Sequence, residues 1–558
     1  MTSRRSLPAL LLAVPILLYI VYPLGAMLAE SVTQPVLNFR ATQMGWDPAH
    51  QPFGAGLRRA LFEDKTRDAI WGTLKLSALS ALTAGAWGLG LALLWTRREF
   101  PGRRFFAALG FSPMLMPPLV GTLAFDALTG EAGALWQVAP FAKSWVTPFL
   151  RVLLVHTYSF GCYTFAYVAA ALDDADTSRE EAARSLGGGV LKTFFAATWP
   201  TVRAPLLAAA LVTFMASAAS FSAPYMLDNS GRYLTVEIIN EKGDTGLQRG
   251  LSVLLAAISL GALPLFLYCS SSAQLATKGD ARRGLPVARK FDARVRIALS
   301  ALAAVPLLVP PLMAVAGIWT RGGSGAESSS LVKVFRDFES EDWNALIRSL
   351  IYGATVALIC MSLAAAIAVA LKRASKGAAL PVETGVMLAM ALPGSAVAVA
   401  LLSAFNAPSW PAFGVALGGG NAILILAYIV RTLPLAVRPA RASYDALGDD
   451  VFFAASSLGA RAGRTFFKVT LPLIFPSLLA GGVLCFIAAA GEYVSSALLY
   501  SPNTQPVSVR IYEVWREDAP KAHALALCLM VVCAVAALIS RIINARRWDS
   551  RDEKKSPS

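Results

Sequence analysis

The sequence predicts an all-α polytopic membrane protein with about twelve transmembrane helices, arranged as two tandem six-helix repeats in parallel orientation. Three observations predict it. Hydrophobic residues make up 56% of the 558 residues and charged residues only 15%, whereas a soluble domain has about 45–50% apolar and about 25% charged residues. Apolar stretches long enough to cross a bilayer recur along the whole chain. A segment of twenty residues also occurs twice, at an offset of 272.

Twelve apolar stretches approach or exceed the length of about 20 residues that a membrane helix needs. They lie near 7–29, 69–95, 105–128, 145–171, 203–227, 248–270, 297–319, 345–371, 381–405, 419–439, 473–499 and 521–543. The first is predicted to be an uncleaved helix, because it is longer than the apolar region of a signal peptide and no clear cleavage site follows. Pro117 in the third stretch corresponds to Pro393 in the ninth, and both are expected to break their helices.

The distribution of basic residues predicts the orientation. With the N-terminus inside, Lys and Arg cluster in the inner loops, in the connector between the halves and in the tail, as the positive-inside rule requires. We attribute the net charge of +15 to this topology and not to nucleic-acid binding. The predicted parts are a first half, a cytoplasmic connector, a second half and a basic cytoplasmic tail, at 1–275, 276–296, 297–545 and 546–558.

The duplicated segment is the most informative motif. Residues 181–200 read EAARSLGGGVLKTFFAATWP and residues 453–472 read FAASSLGARAGRTFFKVTLP, and ten of the twenty positions are identical. We refer to them as the first and second repeat segments. Each predicts two short helices joined by a glycine turn, with Pro200 ending the second helix of the first copy. Two adjacent phenylalanines in each copy are typical of a protein-docking surface.

At these residues the chain resembles the permease subunits of bacterial type I ABC importers, and the resemblance covers nearly the whole chain. Their cytoplasmic EAA loop reads approximately E-A-A-x-x-x-G, about nine residues, then x-L-P. The corresponding loops here are expected at about 173–202 and 445–474. This chain departs from the pattern at Trp199, which replaces Leu, and at Phe453, which replaces the acid.

The resemblance implies the type I importer permease fold and a role in coupling to ATPase subunits for residues of both segments. In the first segment these are Glu181, Ala182, Ala183, Leu186, Gly187, Phe194, Phe195 and Pro200. In the second they are Ala454, Ala455, Leu458, Gly459, Phe466, Phe467 and Pro472.

The expected partners are two ABC ATPase subunits on the cytoplasmic side, a periplasmic substrate-binding protein and the lipid bilayer. The sequence contains no G-x-x-x-x-G-K-[ST] motif, so ATP and Mg are expected on separate ATPase chains, with no cofactor or metal on this chain. The chain is therefore predicted to be a non-catalytic subunit in the bacterial inner membrane, with both termini cytoplasmic.

An ionisable residue inside a membrane helix marks a functional hypothesis. Glu492 is the clearest example, and Ser220 is its counterpart in the first half. Glu492, Tyr493, Ser220, Pro117 and Pro393 are the candidate pathway residues. The alternatives are a structural carboxylate at Glu492 and proline kinks that have no part in gating.

Three further polar residues lie in the spans. Asp126 and Arg431 are weaker pathway candidates, each able to pair with another span, and His156 is expected to be a packed polar residue.

The substrate is weakly specified. Fused permeases of this length resemble the importers of ferric iron and thiamine, and 117–125 (PPLVGTLAF) looks most like the iron(III) branch. We expect ferric iron, with thiamine, aminoethylphosphonate or polyamine as alternatives for the same machinery. An ion-coupled secondary transporter is the remote alternative, and it would need intramembrane acids or ion sites in both halves.

Overall fold

The computed structural model contains helices and no strand in the residues that it describes, which are 8, 11–33, 55–96, 100–173, 175, 178–228, 232–241, 243–277, 292–320, 331–408 and 412–552. This agrees with the predicted all-α polytopic class. A helix satisfies its own backbone hydrogen bonds, which is why chains rich in long apolar stretches cross bilayers in this form.

The helices used in the description are numbered in chain order. In the first part of the chain they are α1 (Leu11–Thr33), α2 (Asp64–Trp95), α3 (Pro118–Thr129), α4 (Pro148–Asp173), α5 (Ser178–Ser185), α6 (Trp199–Ala218), α7 (Leu234–Asn240), α8 (Thr245–Thr277) and α9 (Asp292–Thr320). In the second part they are α10 (Ser340–Arg373), α11 (Lys376–Ala391), α12 (Gly394–Phe405), α13 (Asn421–Asp445), α14 (Asp449–Ser457), α15 (Leu471–Ala490), α16 (Val507–Trp515) and α17 (Ala519–Asp552).

Shorter helices connect them. These are Ala55–Phe62, Arg103–Leu109, Leu135–Val138, Val190–Thr193, Ser222–Leu227, Leu331–Arg336, Ala462–Thr465 and Val494–Leu499.

Ten helices in the described part are long and apolar enough to cross a membrane, and the bent pair Gly377–Ala391 and Gly394–Phe405 makes an eleventh candidate. The remaining predicted stretch, 105–128, is divided into Arg103–Leu109, a 3₁₀ turn at Ser112–Leu115 and α3. Prolines in this stretch lack the N–H that a continuous helix would need. Pro117 is the N-cap of α3 and Pro393 the N-cap of α12, so both predicted breaks lie where the prolines placed them.

The chain forms two compact units. The first unit is Leu57–Ser330, and the second combines Met1–Gly56 with Leu331–Ser558. The first unit therefore contains α9, the first long helix of the second sequence half. The second unit contains α1, the first long helix of the first sequence half. In the first unit α9 packs on α3, and in the second unit α1 packs on α12.

The contact of α1 in the second unit is formed by aromatic and small residues. The rings of Tyr19 and Tyr22 lie 6.0 and 6.2 Å from the ring of Phe405. A Cβ at Gly385 of α11 would collide with the side chain of Ile16. Glycine at that position therefore allows α1 to lie against α11.

Three helices pack mutually at the core of each unit, namely α2, α4 and α6 in the first and α10, α13 and α15 in the second. Glycines set the separation of the helices. A Cβ at Gly88 of α2 would meet the carbonyl oxygen of Gly161 in α4, and a Cβ at Gly481 of α15 would lie 2.8 Å from the Cα of Ala436 in α13. Such close backbone approach is typical of helix packing in membranes.

Each unit also has one matching buried hydrogen bond. The hydroxyl of Thr73 in α2 accepts a hydrogen bond from the backbone N–H of Leu234 at 3.0 Å. The hydroxyl of Ser349 in α10 accepts one from the N–H of Val507 at 2.8 Å. These N–H groups begin α7 and α16, where no carbonyl of the same helix is available to them.

We predict that Ser349→Ala lowers the free energy of unfolding by about 1–3 kcal/mol, because it leaves the buried N–H of Val507 without an acceptor. Thermal unfolding of the purified protein in detergent measures this. Ser362→Ala is the matched control on the same helix, since the Ser362 hydroxyl donates to Leu358 O four residues earlier. Equal losses of stability in the two variants would contradict the assigned role of Ser349.

Candidate functional site

The two repeat segments have the same backbone. Helix α5 or α14 is followed by a glycine in the left-handed region, Gly187 with φ 78° or Gly459 with φ 72°. The N–H of Gly188 donates to Ala183 O at 3.0 Å, and the N–H of Ala460 donates to Ala455 O at 3.0 Å. This is the Schellman end of a helix, in which glycine is favoured because it has no Cβ.

The chain beyond the turn differs from the expectation. Helix Val190–Thr193 runs through a π-helical turn, Phe194–Thr198, directly into α6. The second copy has the same order, with a π-helical turn at Phe466–Thr470 before α15. The expectation that Pro200 ends a helix is therefore wrong. Pro200 lies in the first turn of α6, and the π-helical turn before it provides the local change of hydrogen bonding that a proline within a continuous helix requires.

Apolar side chains on both segments are exposed at matching positions. Leu186 and Leu458 are 85% and 87% exposed, and Phe195 and Phe467 are 61% and 67% exposed. The ring of Phe195 lies 5.2 Å from that of Phe194 in an edge-on arrangement, and the Phe466–Phe467 pair repeats this at 5.0 Å. Matched exposed apolar groups on two otherwise polar segments favour contact with another protein.

The other coupling candidates occupy varied positions in the segments. Glu181, Ala182, Ala454, Pro200 and Pro472 are exposed, Ala183 is half-buried and Ala455 is buried.

One acid that is not among the predicted coupling residues, Glu180, lies in α5 directly before the first repeat segment. Glu180 is only 9% exposed, and its Oε1 accepts a hydrogen bond from the hydroxyl of Thr198 at 2.6 Å. Arg184 lies 3.7 Å from the other carboxylate oxygen. The sequence signal lies one residue before the repeat segments, because Phe452 stands where the offset of 272 places the counterpart of Glu180.

At the far end of α6 and α15 both helices are interrupted. Helix α6 ends at Ala218 and the chain resumes as helix at Ser222, while α15 ends at Ala490 and resumes at Val494. Ser220 and Glu492 lie in the two gaps.

Hydroxyl groups satisfy the backbone at these gaps. The carbonyl of Ser220 accepts a hydrogen bond from Thr235 at 2.8 Å, and the carbonyl of Glu492 accepts one from Ser508 at 2.7 Å. Thr235 belongs to α7 and Ser508 to α16, so equivalent helices close equivalent gaps.

The gap in the second unit contains an ion pair. Arg431 Nη1 of α13 donates to Glu492 Oε1 at 2.6 Å, with 26% and 13% of the two side chains exposed. The N–H of Ser495 donates to the same oxygen at 3.0 Å. A Cβ at Gly394 would collide with the Arg431 guanidinium, so the glycine after Pro393 leaves room for it. The pair joins α13, the gap in α15 and the start of α12.

The gap in the first unit is uncharged at the matching positions. His156 of α4 is buried, and its Nδ1 lies 3.1 Å from the hydroxyl of Ser80 and 2.9 Å from that of Ser217. Its Nε2 lies 3.0 Å from the hydroxyl of Ser220. Tyr428 occupies the equivalent position in α13, and its hydroxyl lies 2.6 Å from that of Ser496.

The remaining pathway candidates lie beside these gaps. The ring of Tyr493 is buried and lies 5.4 Å from that of Tyr512 in α16. Pro117 and Pro393 precede α3 and α12, which pack on the short helices Ser222–Leu227 and Val494–Leu499 that follow the gaps. The structure thus groups the candidates of each unit at one end of its bundle. Among the described residues, no three His, Cys, Asp or Glu side chains are placed to hold a metal ion.

Comparison with known proteins gives the family. Residues 86–273 and 362–549 each match the family described as binding-protein-dependent transport system inner membrane component. The chain is 24% identical over 505 residues to a probable ABC transporter permease protein of Sinorhizobium fredii, covering 87% of this chain and 88% of that one.

Two further relatives have named substrates. A putative ferric transport system permease protein of Haemophilus influenzae is 24% identical over 472 residues, which cover 80% of this chain and 71% of the relative. A probable molybdenum ABC transporter permease protein of Haloferax volcanii is 30% identical over 260 residues, which cover 46% of this chain and 87% of the relative. Since the two family matches cover more than half of it, the chain belongs to the binding-protein-dependent transport system inner membrane components, the non-catalytic, multi-pass permease subunits of ABC importers.

Proposed function

We propose that both repeat segments dock on ABC ATPase subunits, one subunit to each segment, and that the two helix gaps belong to the substrate pathway. The duplicated backbone turn and the matched exposed Leu and Phe side chains support the docking role. ATP and Mg then bind to the ATPase subunits, and a periplasmic binding protein delivers the substrate to the opposite side of the membrane.

The proposed orientation follows from charge. Lys and Arg are frequent near the repeat segments and in the connector and the tail, so this side is proposed to be cytoplasmic, together with both termini. The helix gaps lie about 20 residues along α6 and α15 from the segments, or about 30 Å at 1.5 Å per residue. They are therefore proposed to lie towards the periplasmic side.

Ferric iron is the proposed substrate. The proposal rests on the share of this chain that aligns with relatives named for ferric transport. Two proteins named as ferric permeases, of Haemophilus influenzae and Actinobacillus pleuropneumoniae, align with 80% and 87% of this chain. The relatives named for molybdenum align with half of it or less, which makes a molybdenum oxyanion the second candidate. Thiamine, aminoethylphosphonate and polyamine stay as alternatives from sequence resemblance.

Ion-coupled secondary transport is the less favoured mechanism. It would require comparable ionisable sites in both halves, and the matching gap positions are Glu492 in one unit and Ser220 in the other. An ATP-driven mechanism has no such requirement.

We predict that uptake of radioactive ferric iron by cells requires this chain, its ATPase and its binding protein. The matched measurement is uptake of radioactive molybdate in the same strains. Molybdate uptake without ferric uptake would reject iron as the substrate, and uptake that persists without ATP but stops when the proton gradient is dissipated would reject the importer mechanism.

Gly187→Asp and Gly459→Asp are predicted to reduce binding of the ATPase, because a side chain at positive φ costs about 1–3 kcal/mol and the turn would rearrange. Co-purification of the ATPase with the membrane-inserted chain measures the effect. Gly189→Asp and Gly463→Asp add the same charge where a Cβ meets no atom within 4 Å and φ is not positive, so they separate the backbone requirement from charge. Normal ATPase binding and uptake in both turn variants would refute the docking role.

Glu492→Gln is predicted to reduce uptake severalfold while the complex still assembles, since the Arg431 guanidinium loses its counter-charge in a largely desolvated position. Transport rates in proteoliposomes, together with the amount of bound ATPase, test this. Unchanged transport kinetics would assign Glu492 a structural role alone.

A further inference from the structure

Each repeat segment continues into an interrupted helix, α6 or α15, but the short helices α5 and α14 make side-chain contacts with different elements. In the first segment the carboxylate of Glu180 in α5 accepts the hydrogen bond of Thr198 at 2.6 Å. Thr198 is the last residue of the π-helical turn that continues into α6. Charge-assisted hydrogen bonds are short and about twice as strong as neutral ones. Helix α5 is therefore tied to α6, the helix that is interrupted at Ser220.

The second segment has no equivalent bond at this position, because Phe452 replaces Glu180 and a phenyl ring has no carboxylate to accept the hydroxyl of Thr470. The ring of Phe452 instead lies 5.8 Å from that of Tyr444, near the end of α13. Lys372 Nζ of α10 lies 5.3 Å from the centre of each ring, a cation–π distance. The same ammonium donates to Leu447 O at 3.0 Å.

The packing of the two segments differs in the same sense. Helix α5 packs on the π-helical turn at Phe194–Thr198, whereas the side-chain contacts of α14 are with Tyr444 of α13 and Lys372 of α10. Helix α14 is thus held by α13 and α10, not by a direct bond to α15.

These attachments lead to the two gaps by different routes. Helix α6 itself ends at the Ser220 gap. Helix α13 instead carries Arg431, 13 residues before Tyr444, or about 20 Å along the helix. Arg431 in turn holds Glu492 in the gap of α15. Beyond the continuation of each segment into its interrupted helix, the side-chain contacts therefore lead from the first segment to α6 and from the second to α13, the neighbour that holds the ion pair.

We infer that Glu180 is a positioning residue through which the first segment moves α6, and that the second segment moves α13 through Phe452, Tyr444 and Lys372. The inference rests on the proposed docking of ATPase subunits on both segments. It makes the two ATPase subunits drive the two halves of the permease through different helices.

Thr198→Val tests the Glu180–Thr198 hydrogen bond, because valine keeps the shape of threonine and removes the hydroxyl. The assay uses the full complex in proteoliposomes, with ATPase binding, ATP hydrolysis and substrate uptake measured together. We expect bound ATPase and ATP hydrolysis to be retained while the substrate transported per ATP falls about fivefold or more, as for typical coupling between sites.

Thr470→Val is the matched control at the equivalent position of the second segment, and its ratio of transport to hydrolysis should stay close to that of the original chain. Thr198→Ser should restore the ratio, since it restores the hydroxyl. Glu180→Ala removes the acceptor from a short surface helix and should uncouple in the same way, which provides a second variant if Thr198→Val does not fold. Lys372→Gln should lower the ratio through the second segment.

Three results would overturn the inference. Equal uncoupling by Thr198→Val and Thr470→Val would show that the two segments act through the same helix. Loss of bound ATPase in Thr198→Val would make Glu180 a support of the docking surface only. An unchanged ratio of transport to hydrolysis in both Thr198→Val and Glu180→Ala would show that the Glu180–Thr198 hydrogen bond has no part in coupling. Failure of the original chain to bind any ATPase would instead reject the proposed function, so the two failures are distinguishable.

Discussion

Satisfaction of the backbone at two interrupted helices is the constraint on which this structure depends. Inside a bilayer an unpaired carbonyl or N–H costs several kcal/mol, so a helix can stop only where side chains supply partners. Thr235 and Ser508 donate to the carbonyls of Ser220 and Glu492. These hydroxyls stand on α7 and α16, whose first turns are held by Thr73 and Ser349. Each gap is thus stabilised by the adjoining helices of its unit.

The two halves have equivalent backbones at the gaps and repeat segments, but the side chains there differ in charge and hydrogen bonding. The first gap is lined by a buried histidine and serine hydroxyls, and the second contains the Arg431–Glu492 pair. The repeat segments differ similarly, with a carboxylate–hydroxyl bond at Glu180 in one and an aromatic cluster at Phe452 in the other. A permease made of two identical subunits could not hold such differences. Fusion of both halves in one chain allows each half to acquire its own contacts.

The structural features that depend only on residues close together in the sequence could be predicted. The glycine turns of both repeat segments and the interruptions at Pro117 and Pro393 follow from backbone geometry that these residue types impose locally. The stretch at 105–128 is divided further than the break expected at Pro117, because a 3₁₀ turn at Ser112–Leu115 also separates it from Arg103–Leu109, and apolar composition alone did not reveal this turn. The continuous helix through Pro200 was missed as well, since a π-helical turn has no clear sequence signal. Burial of Glu180 was visible only as a mismatch between the repeats.

The sequence by itself determined the helical class, the duplication, the breaks and the two exposed segments, because hydrophobic length, proline, glycine and internal repetition act over short stretches of chain. Only the tertiary structure decided which distant groups meet. It paired Arg431 with Glu492, 61 residues away, and placed α1 on α12 and α9 on α3. The physical reason is that such contacts depend on the relative position of whole helices, which small residues such as Gly394 permit by leaving room for a neighbour and which no local pattern encodes.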